Sequence, residues 1–402
     1  MEERDHRIIG KELDLFTFSD LVGSGLPLWT PKGTIFRDEL DKFIWEMRSA
    51  KGYERVTIPH ITKKELYEKS GHWDKFSDDL FKITSRDGRE YAMKPMNCPH
   101  HTQIFDRKPH SYREMPQRYA ETTMVYRDEQ SGELGGLTRV LSITQDDAHV
   151  FCRTTQVREE FLKIWDIVDA FYKKFGFTLR VRLSFRDPAA PEKYIGTPAT
   201  WDKAESELRS IAEERGADTI EGPGEAALYG PKLDFMAKNA AGREWQIATI
   251  QLDMNIPERF DLTCINEKGE KERIVMIHAA ISGSLERCAA ILIEHFGGAF
   301  PTWLSPVQAR VIPIAEAHQA FGKEVVEQLK AAGIRAEVDL SNETLGKKIR
   351  EAKTQKIPYT LVIGDAEVAV NTATLEGREG KVGALSIAEI VSKLKEEISA
   401  RT

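Results

Sequence analysis

Cysteine is scarce in this chain and never paired by spacing. Four are spread along its 402 residues, at Cys98, Cys152, Cys264 and Cys288, with no Cys-x-x-Cys among them. That argues against a disulfide framework and for a reducing compartment, so a cytoplasmic location is expected. Long apolar runs are missing too. None approaches the roughly 18 residues of a membrane-spanning helix, so no membrane partner is expected. The opening residues, MEERDHRIIGKELDLF, are charged and lack an apolar signal core, which argues against secretion. Nor is there an excess of basic charge. A net charge of −7 excludes indiscriminate binding to nucleic acid and leaves only a local basic patch for such a partner. Internal repeats and low-complexity tracts are absent.

What is present is the composition of a globular protein, 41% hydrophobic and 30% charged. The length suits one large domain followed by a small one. In the first part, helical spacing runs over 33–50, 154–175 and 200–215, and strand patterns over 53–58, 177–185, 232–238, 245–253 and 260–266. Asp87-Gly88 marks a hairpin between 80–84 and 90–94. A helix opens at 99, and 222–230 reads as a Gly-rich connector. The texture changes at 303–309 (WLSPVQA). Beyond it strands and helices alternate, which implies a sheet with helical crossovers. A boundary is therefore expected near residue 304, giving domains 1–304 and 305–402.

The stretch 122–151, TTMVYRDEQSGELGGLTRVLSITQDDAHVF, reads as two strands joined by a Gly-containing loop. Arg127 and Glu129, two apart on the first strand, are expected to face one side. Alone such a pair is ordinarily a surface ion pair worth little. Arg139 returns on the second strand, and Arg287 stands in AISGSLER at a helix start. Three converging arginines repel one another unless an anion lies between them. Guanidinium forks match phosphate oxygens, so a nucleotide triphosphate would satisfy all three. A second theme is Cys98 after Pro95-Met96-Asn97, His149 ending QDDAH, and His278 ending IVMIH. Each is expected at a strand edge of one sheet. Their separations assert no metal by themselves, and a lone histidine is ordinarily a core or surface residue. One thiolate and two imidazoles would nevertheless suit zinc with one coordination position left open.

VYRDEQSG…LTR and AISGSLER resemble the second and third motifs of the class II aminoacyl-tRNA synthetases. KPMNCPHH, ITQDDAHVF, YGPKLDF, WQIATIQLD and VMIH together resemble the threonyl-tRNA synthetase family, and the resemblance spans essentially the whole chain. It implies an α+β catalytic domain with a mostly antiparallel sheet flanked by helices, then a smaller α/β anticodon-binding domain with a mixed sheet. It implies L-threonine, ATP with Mg2+, and tRNA(Thr) as partners, one zinc ion per chain, and a homodimer. Arg127, Glu129, Arg139 and Arg287 would bind ATP, with Arg127 and Arg287 acting in catalysis. Cys98, His149 and His278 would hold the zinc. Met96, Arg127, Gln145, Asp147, Tyr229, Lys232 and Gln251 would surround threonine. His72 matches a histidine implicated in transfer to tRNA, against the bland reading of a surface-loop histidine. Asn342, Arg350 and Glu367 match anticodon-contacting positions.

In the last domain, Lys347, Arg350 and Lys353 form a basic arc on a predicted helix. From Ser305 onward 14 basic residues balance 14 acidic ones, so recognition there would have to be local. The chain also departs from the family pattern. Ala279 and Leu141 stand where arginine is common, Ile143 where an aromatic stacks on adenine, and Glu376 where an arginine reads the anticodon. Two other readings compete: a non-catalytic relative that binds tRNA, and an activator of proline or serine on the same fold. The 402 residues begin at the catalytic core, so an N-terminal editing domain is expected to be absent. Serine carries the same amino and hydroxyl groups as threonine, and seryl-tRNA formation is therefore expected. Charging assays with serine that give no product above background would refute this.

Overall fold

The computed structural model describes residues 4–240 and 242–402; the first three residues of the N-terminal lead-in lie outside the described residues. Two compact units emerge. One comprises Asp20–Pro27 and Asp41–Ala289, and the other comprises 4–19, Leu28–Leu40 and Ala290–Thr402. No helix among the described residues is long and apolar enough to cross a membrane.

The first unit is built on eight strands: β1 (Glu54–Arg55), β2 (Gln117–Tyr126), β3 (Ser142–Cys152), β4 (Leu179–Phe185), β5 (Thr219–Pro223), β6 (Lys232–Lys238), β7 (Glu244–Asp253) and β8 (Val275–Ala280). They lie in the order β5-β4-β6-β7-β8-β3-β2-β1. The inner pairings are antiparallel and only the two edge pairings, β5 with β4 and β1 with β2, are parallel. The expected mostly antiparallel sheet is therefore found. Helix Val157–Lys173 covers it. Phe161, Ile164, Trp165, Val168, Phe171 and Tyr172 recur at helical spacing and are all buried. Trp165 meets Phe235 of β6 edge-on at 5.0 Å. Each such side chain contributes about 1.5–3 kcal/mol on burial. Glu159 and Glu160 in the first turn suit the positive end of the helix. Helix Pro198–Glu214 starts with Thr197 accepting from the Thr200 N–H and a proline in the first turn.

Several expectations change. The strand at 53–58 shrinks to Glu54–Arg55, because it is a parallel edge with only two residues paired to β2. The segment 260–266 supplies only Thr263–Ile265, after a short helix Asn255–Arg259, and pairs locally with Lys271–Arg273. The Gly-rich connector hides the end of β5, whose parallel partner leaves no local signal. The hairpin strands stop at Tyr126 and restart at Ser142. Arg127, Glu129 and Arg139 thus stand on a loop, not on strands, and the two-residue facing argument does not apply to them. The reason is a 3-10 turn at Ser131–Glu133 and a left-handed Gly136, φ 57°, which take the backbone out of the ladder.

The second unit has a mixed sheet of β9 (Ala309–Pro313), β10 (Ala336–Val338), β11 (Tyr359–Ile363), β12 (Thr372–Gly377) and β13 (Gly380–Ser386), in the order β10-β9-β11-β12-β13. Its core gathers Val311, Val325, Leu329, Leu361, Leu375, Ile390 and Leu394 from strands and covering helices. The alternation read from the sequence holds one strand between 364 and 387, where the structure has the helix Asp365–Val370 and two strands, β12 and β13. β13 is an exposed edge whose glycines, Gly380 and Gly383, weaken any alternation.

One buried cation ties the large sheet together. Arg48, in the last turn of helix Pro31–Ser49, sits 2.7 Å from the Asp146 carboxylate of β3. It also donates to the carbonyls of Asp147, at 3.2 Å, and of Ala279 in β8, at 3.1 Å. The other Asp146 oxygen accepts from the N–H groups of Ile281 and Ser282. Removing one partner of a buried pair typically destabilises by about 3–5 kcal/mol, because the other charge is stranded. Arg48→Met is expected to lose that much in denaturant titration, and Arg48→Met with Asp146→Asn to lose less. A single variant within about 0.5 kcal/mol of wild type, the range of ordinary surface changes, would sink this account.

Candidate active site

Strand register assembles the site. Lys232 of β6 lies opposite Gln251 of β7, Gln251 opposite His278 of β8, and His278 opposite His149 of β3. Directly opposed residues share a face, so four strands each supply one side chain to a single row. Along β3, Gln145, Asp147 and His149 alternate onto that face. Above it opens a cavity of about 430 Å³. Met96, Cys98, Arg127, Glu129, Arg139, Gln145, Asp147, His149, Tyr229, Lys232, Gln251, His278 and Arg287 all line it. Of the residues expected here, only His72 does not.

One end of the cavity is cationic. Arg127 and Arg139 reach it from the 127–141 loop and Arg287 from the first turn of helix Leu285–Phe296. Partial burial, then the charges of Arg127 and Arg139, push the Arg287 guanidinium down from its ordinary value. Arg139 is held by Glu129 at 2.5 Å and Glu133 at 2.8 Å. Glu129, expected to bind ATP, is therefore engaged with an arginine in the structure. Ile143 lines the cavity, whereas Leu141 lies outside the lining and donates its N–H to the Gly25 carbonyl. Glu286 secures the neighbouring strand by accepting from the N–H and the hydroxyl of Thr144, at 2.8 and 2.7 Å.

The other end gathers Cys98, His149 and His278. All three are buried, with ligand atoms within 4.8 Å of one another. His149 Nε2 and His278 Nδ1 stand 3.1 Å apart. Two zinc–nitrogen bonds of about 2.0–2.1 Å at a tetrahedral angle put their nitrogens about 3.3 Å apart, so the pair fits one ion. Burial, then the rings of His101 and His278, push His149 well down, and a neutral imidazole keeps a lone pair to give. Burial pushes the Cys98 thiol well up, so only a cation beside it would favour the thiolate. His278 Nε2 faces the buried Asp253 carboxylate at 2.9 Å, the usual support of a metal-bound histidine. The residues fit zinc. Their expected place at strand edges is corrected: Cys98 opens helix Cys98–Phe105, and both histidines lie inside strands.

Between the two ends, Asn97 donates to Asp147 at 2.9 Å, and Tyr229 packs on the His278 ring at 5.1 Å with its hydroxyl beside the Met96 sulfur. The fully buried Asp234 accepts from Arg182, Ser184, Lys232, Gln246 and Thr249, all within 3.1 Å. It thereby orients three cavity residues at once. Gln246, Thr249, Asp234, Asp253 and Asn97 escaped the sequence reading. Alternation from Gln251 reaches Thr249 and Asp253, and alternation from Lys232 reaches Asp234. Gln246 is brought in by a register shift between Phe235 and Met236 that no local pattern announces. His72 is fully buried, not in a surface loop. It pairs with Ser70 at 2.7 Å and stands behind Phe76 and Tyr229, which line the cavity. Burial pushes its pKa down to about 3.

Residues 81–296 match the family model of the tRNA synthetase class II core domain (G, H, P, S and T), and residues 308–397 match an anticodon binding domain. The RNA binding domain of threonyl-tRNA synthetase from Cryptosporidium parvum Iowa II superimposes with a TM-score of 0.94 at 37% identity, over 98% of each chain. The chain belongs to the class II tRNA synthetases, in the threonyl-tRNA synthetase family. It is also similar to the threonine–tRNA ligases of Flavobacterium johnsoniae, 49% identical over 99% of this chain, and Gloeobacter violaceus, 47% identical over 100% of it. The chain spans 62% and 65% of the length of those curated relatives.

In the second unit, Asn342 is exposed in the loop before helix Leu345–Thr354 and Arg350 is exposed on that helix. Glu367 accepts from the Gly364 N–H and the Thr374 hydroxyl, at 3.0 and 2.8 Å. The basic arc is largely neutralised, since Lys347 pairs with Glu343 and Lys353 with Glu376.

The arginine end predicts a stability response. Inorganic pyrophosphate should relieve repulsion among Arg127, Arg139 and Arg287 and raise the melting temperature. At 100 times its Kd the gain is about 2.7 kcal/mol. Arg287→Ala should abolish most of the shift. A melting temperature unmoved by millimolar pyrophosphate would refute an anion site there.

Proposed function

We propose that the chain is the catalytic and anticodon-binding part of a threonine–tRNA ligase, with residues 1–304 as the catalytic domain and 305–402 as the anticodon-binding domain. The observation that carries this reading is a single cavity with three arginines at one end and the Cys98, His149 and His278 set at the other.

ATP lies at the arginine end with Mg2+, as is typical of class II synthetases. Arg139 and Arg287 hold the γ-phosphate end, and Arg127 bridges the α-phosphate and the threonine carboxylate. Glu129 leaves Arg139 to accept from the adenine amino group. A threonine carboxylate oxygen attacks the α-phosphorus while the bond to pyrophosphate breaks. A terminal ribose hydroxyl of tRNA(Thr) then attacks the carbonyl carbon, its proton leaves, and AMP departs. Positioning and charge neutralisation do this work, and no protein nucleophile is needed.

Zinc held by Cys98, His149 and His278, when bound, would coordinate the amino and hydroxyl groups of threonine together. Asp147, fixed by Asn97, accepts from the hydroxyl. Met96, Gln145, Tyr229, Lys232 and Gln251 close the amino-acid pocket. Valine fills the same shape without a hydroxyl, and shape alone would reject it by only about 1–3 kcal/mol. Serine satisfies every polar contact, so the 402-residue polypeptide assayed by itself forms seryl-tRNA. His72 assists transfer to tRNA as a neutral imidazole, once Phe76 or Tyr229 yields access to it. In the second domain Asn342, Arg350 and Glu367 read exposed anticodon bases by edge contacts. The chain works in the cytoplasm as a homodimer, joined through the 53–59 region with Ile61 half-exposed beside it.

ATP–pyrophosphate exchange with zinc content measured on the same sample tests this. Exchange is expected with threonine and with serine, none with valine, and a steep loss after chelation. No exchange in a zinc-loaded sample would favour a tRNA-binding relative without activity. A sample active without zinc would favour activation of another amino acid.

A further inference from the structure

The two imidazoles of the candidate zinc site are supported differently. His278 is backed directly by the Asp253 carboxylate. His149 is backed by a second imidazole: its Nδ1 stands 2.8 Å from Nδ1 of His101, with the rings edge to face. Both rings are buried, and His101 is fully so. For His149 Nε2 to give its lone pair to a cation, its proton must sit on Nδ1. That N–H can then only donate to His101 Nδ1, which leaves the His101 proton on Nε2. His101 Nε2 stands 3.9 Å from Glu121 Oε2, beyond hydrogen-bond distance, and among the described residues neither atom has a hydrogen-bond partner. The other Glu121 oxygen accepts from the Ile58 N–H at 3.3 Å, which fixes the carboxylate. The Glu121 carboxylate, too distant for a direct hydrogen bond, favours the proton on His101 Nε2 by charge alone.

We propose that His101, aligned by Glu121, is a positioning residue that locks the tautomer and ring angle of His149 as a metal ligand. The inference rests on the zinc reading above and deepens it. His101 lies three residues after Cys98, on the same face of helix Cys98–Phe105. One helical turn thus supplies one ligand and braces another that belongs to β3. Any shift of this turn moves two of the three ligands together, which couples metal retention to the packing of a single segment.

Zinc affinity by chelator competition and the visible d–d absorption of the cobalt-substituted full chain test this. His101→Phe is expected to weaken metal binding roughly 10–100-fold and to alter the cobalt bands. His101→Asn places an acceptor where Nδ1 stood and should restore most of the affinity, while Glu121→Ala should give a partial loss with the ring still in place. If His101→Phe fails to fold, the contrast between His101→Asn and Glu121→Ala decides: a weakened Glu121→Ala beside a near-normal His101→Asn supports the brace, and equal affinities overturn it. A folded His101→Phe with wild-type affinity and cobalt bands also overturns it. Wild-type protein that takes up no zinc would instead refute the metal reading itself.

Discussion

The site depends on the antiparallel register of four strands. Lys232, Gln251, His278 and His149 share one row only because β6, β7, β8 and β3 pair as they do. A slip of one residue in any of these pairings would turn a whole set of side chains to the opposite face. The buried Arg48 holds the β3–β8 pairing from the opposite face through Asp146. The same pairing sets His149 against His278, so the contact that closes the sheet also brings the two imidazoles to ligand distance.

Beneath the cavity the buried carboxylates are held by several partners each. Asp234 accepts five hydrogen bonds, Asp253 faces His278 and two backbone N–H groups, and Asn97 holds Asp147. Buried networks satisfied to this degree rigidify their surroundings. Above them lie three clustered arginines, Arg139 held by Glu129 and Glu133, and two imidazoles facing each other. Rigid support below, with clustered guanidinium groups and imidazoles above, is the arrangement of a site preorganised for ligands.

The departures from the family pattern fall where they can be absorbed. Ile143 keeps an apolar wall where an aromatic would stack. Leu141 sits outside the lining and is tied to Gly25 by its backbone N–H. Ala279 borders the cavity with its side chain on the sheet face opposite His278, and its carbonyl serves Arg48. Glu376, acidic where a base-reading arginine is common, is paired with Lys353 and so carries little free charge.

The sequence by itself determined a good deal. Helical periodicity located Val157–Lys173, alternation located Lys232–Lys238, and the local contexts of Arg127, Cys98, His149 and His278 pointed to one cavity through a family resemblance. Those signals are local, carried by residue type and spacing of two to four. Tertiary structure decided what local spacing cannot carry. It drew β5 into a parallel edge, lifted Arg127, Glu129 and Arg139 off their expected strands onto a glycine-turned loop, and buried His72 behind Phe76 and Tyr229. It brought Asp253, Asp234, Asn97 and His101 under the site. The physical reason is that facing requires only the strand period, whereas neighbourhood requires register, and register is settled by contacts between segments far apart in the chain.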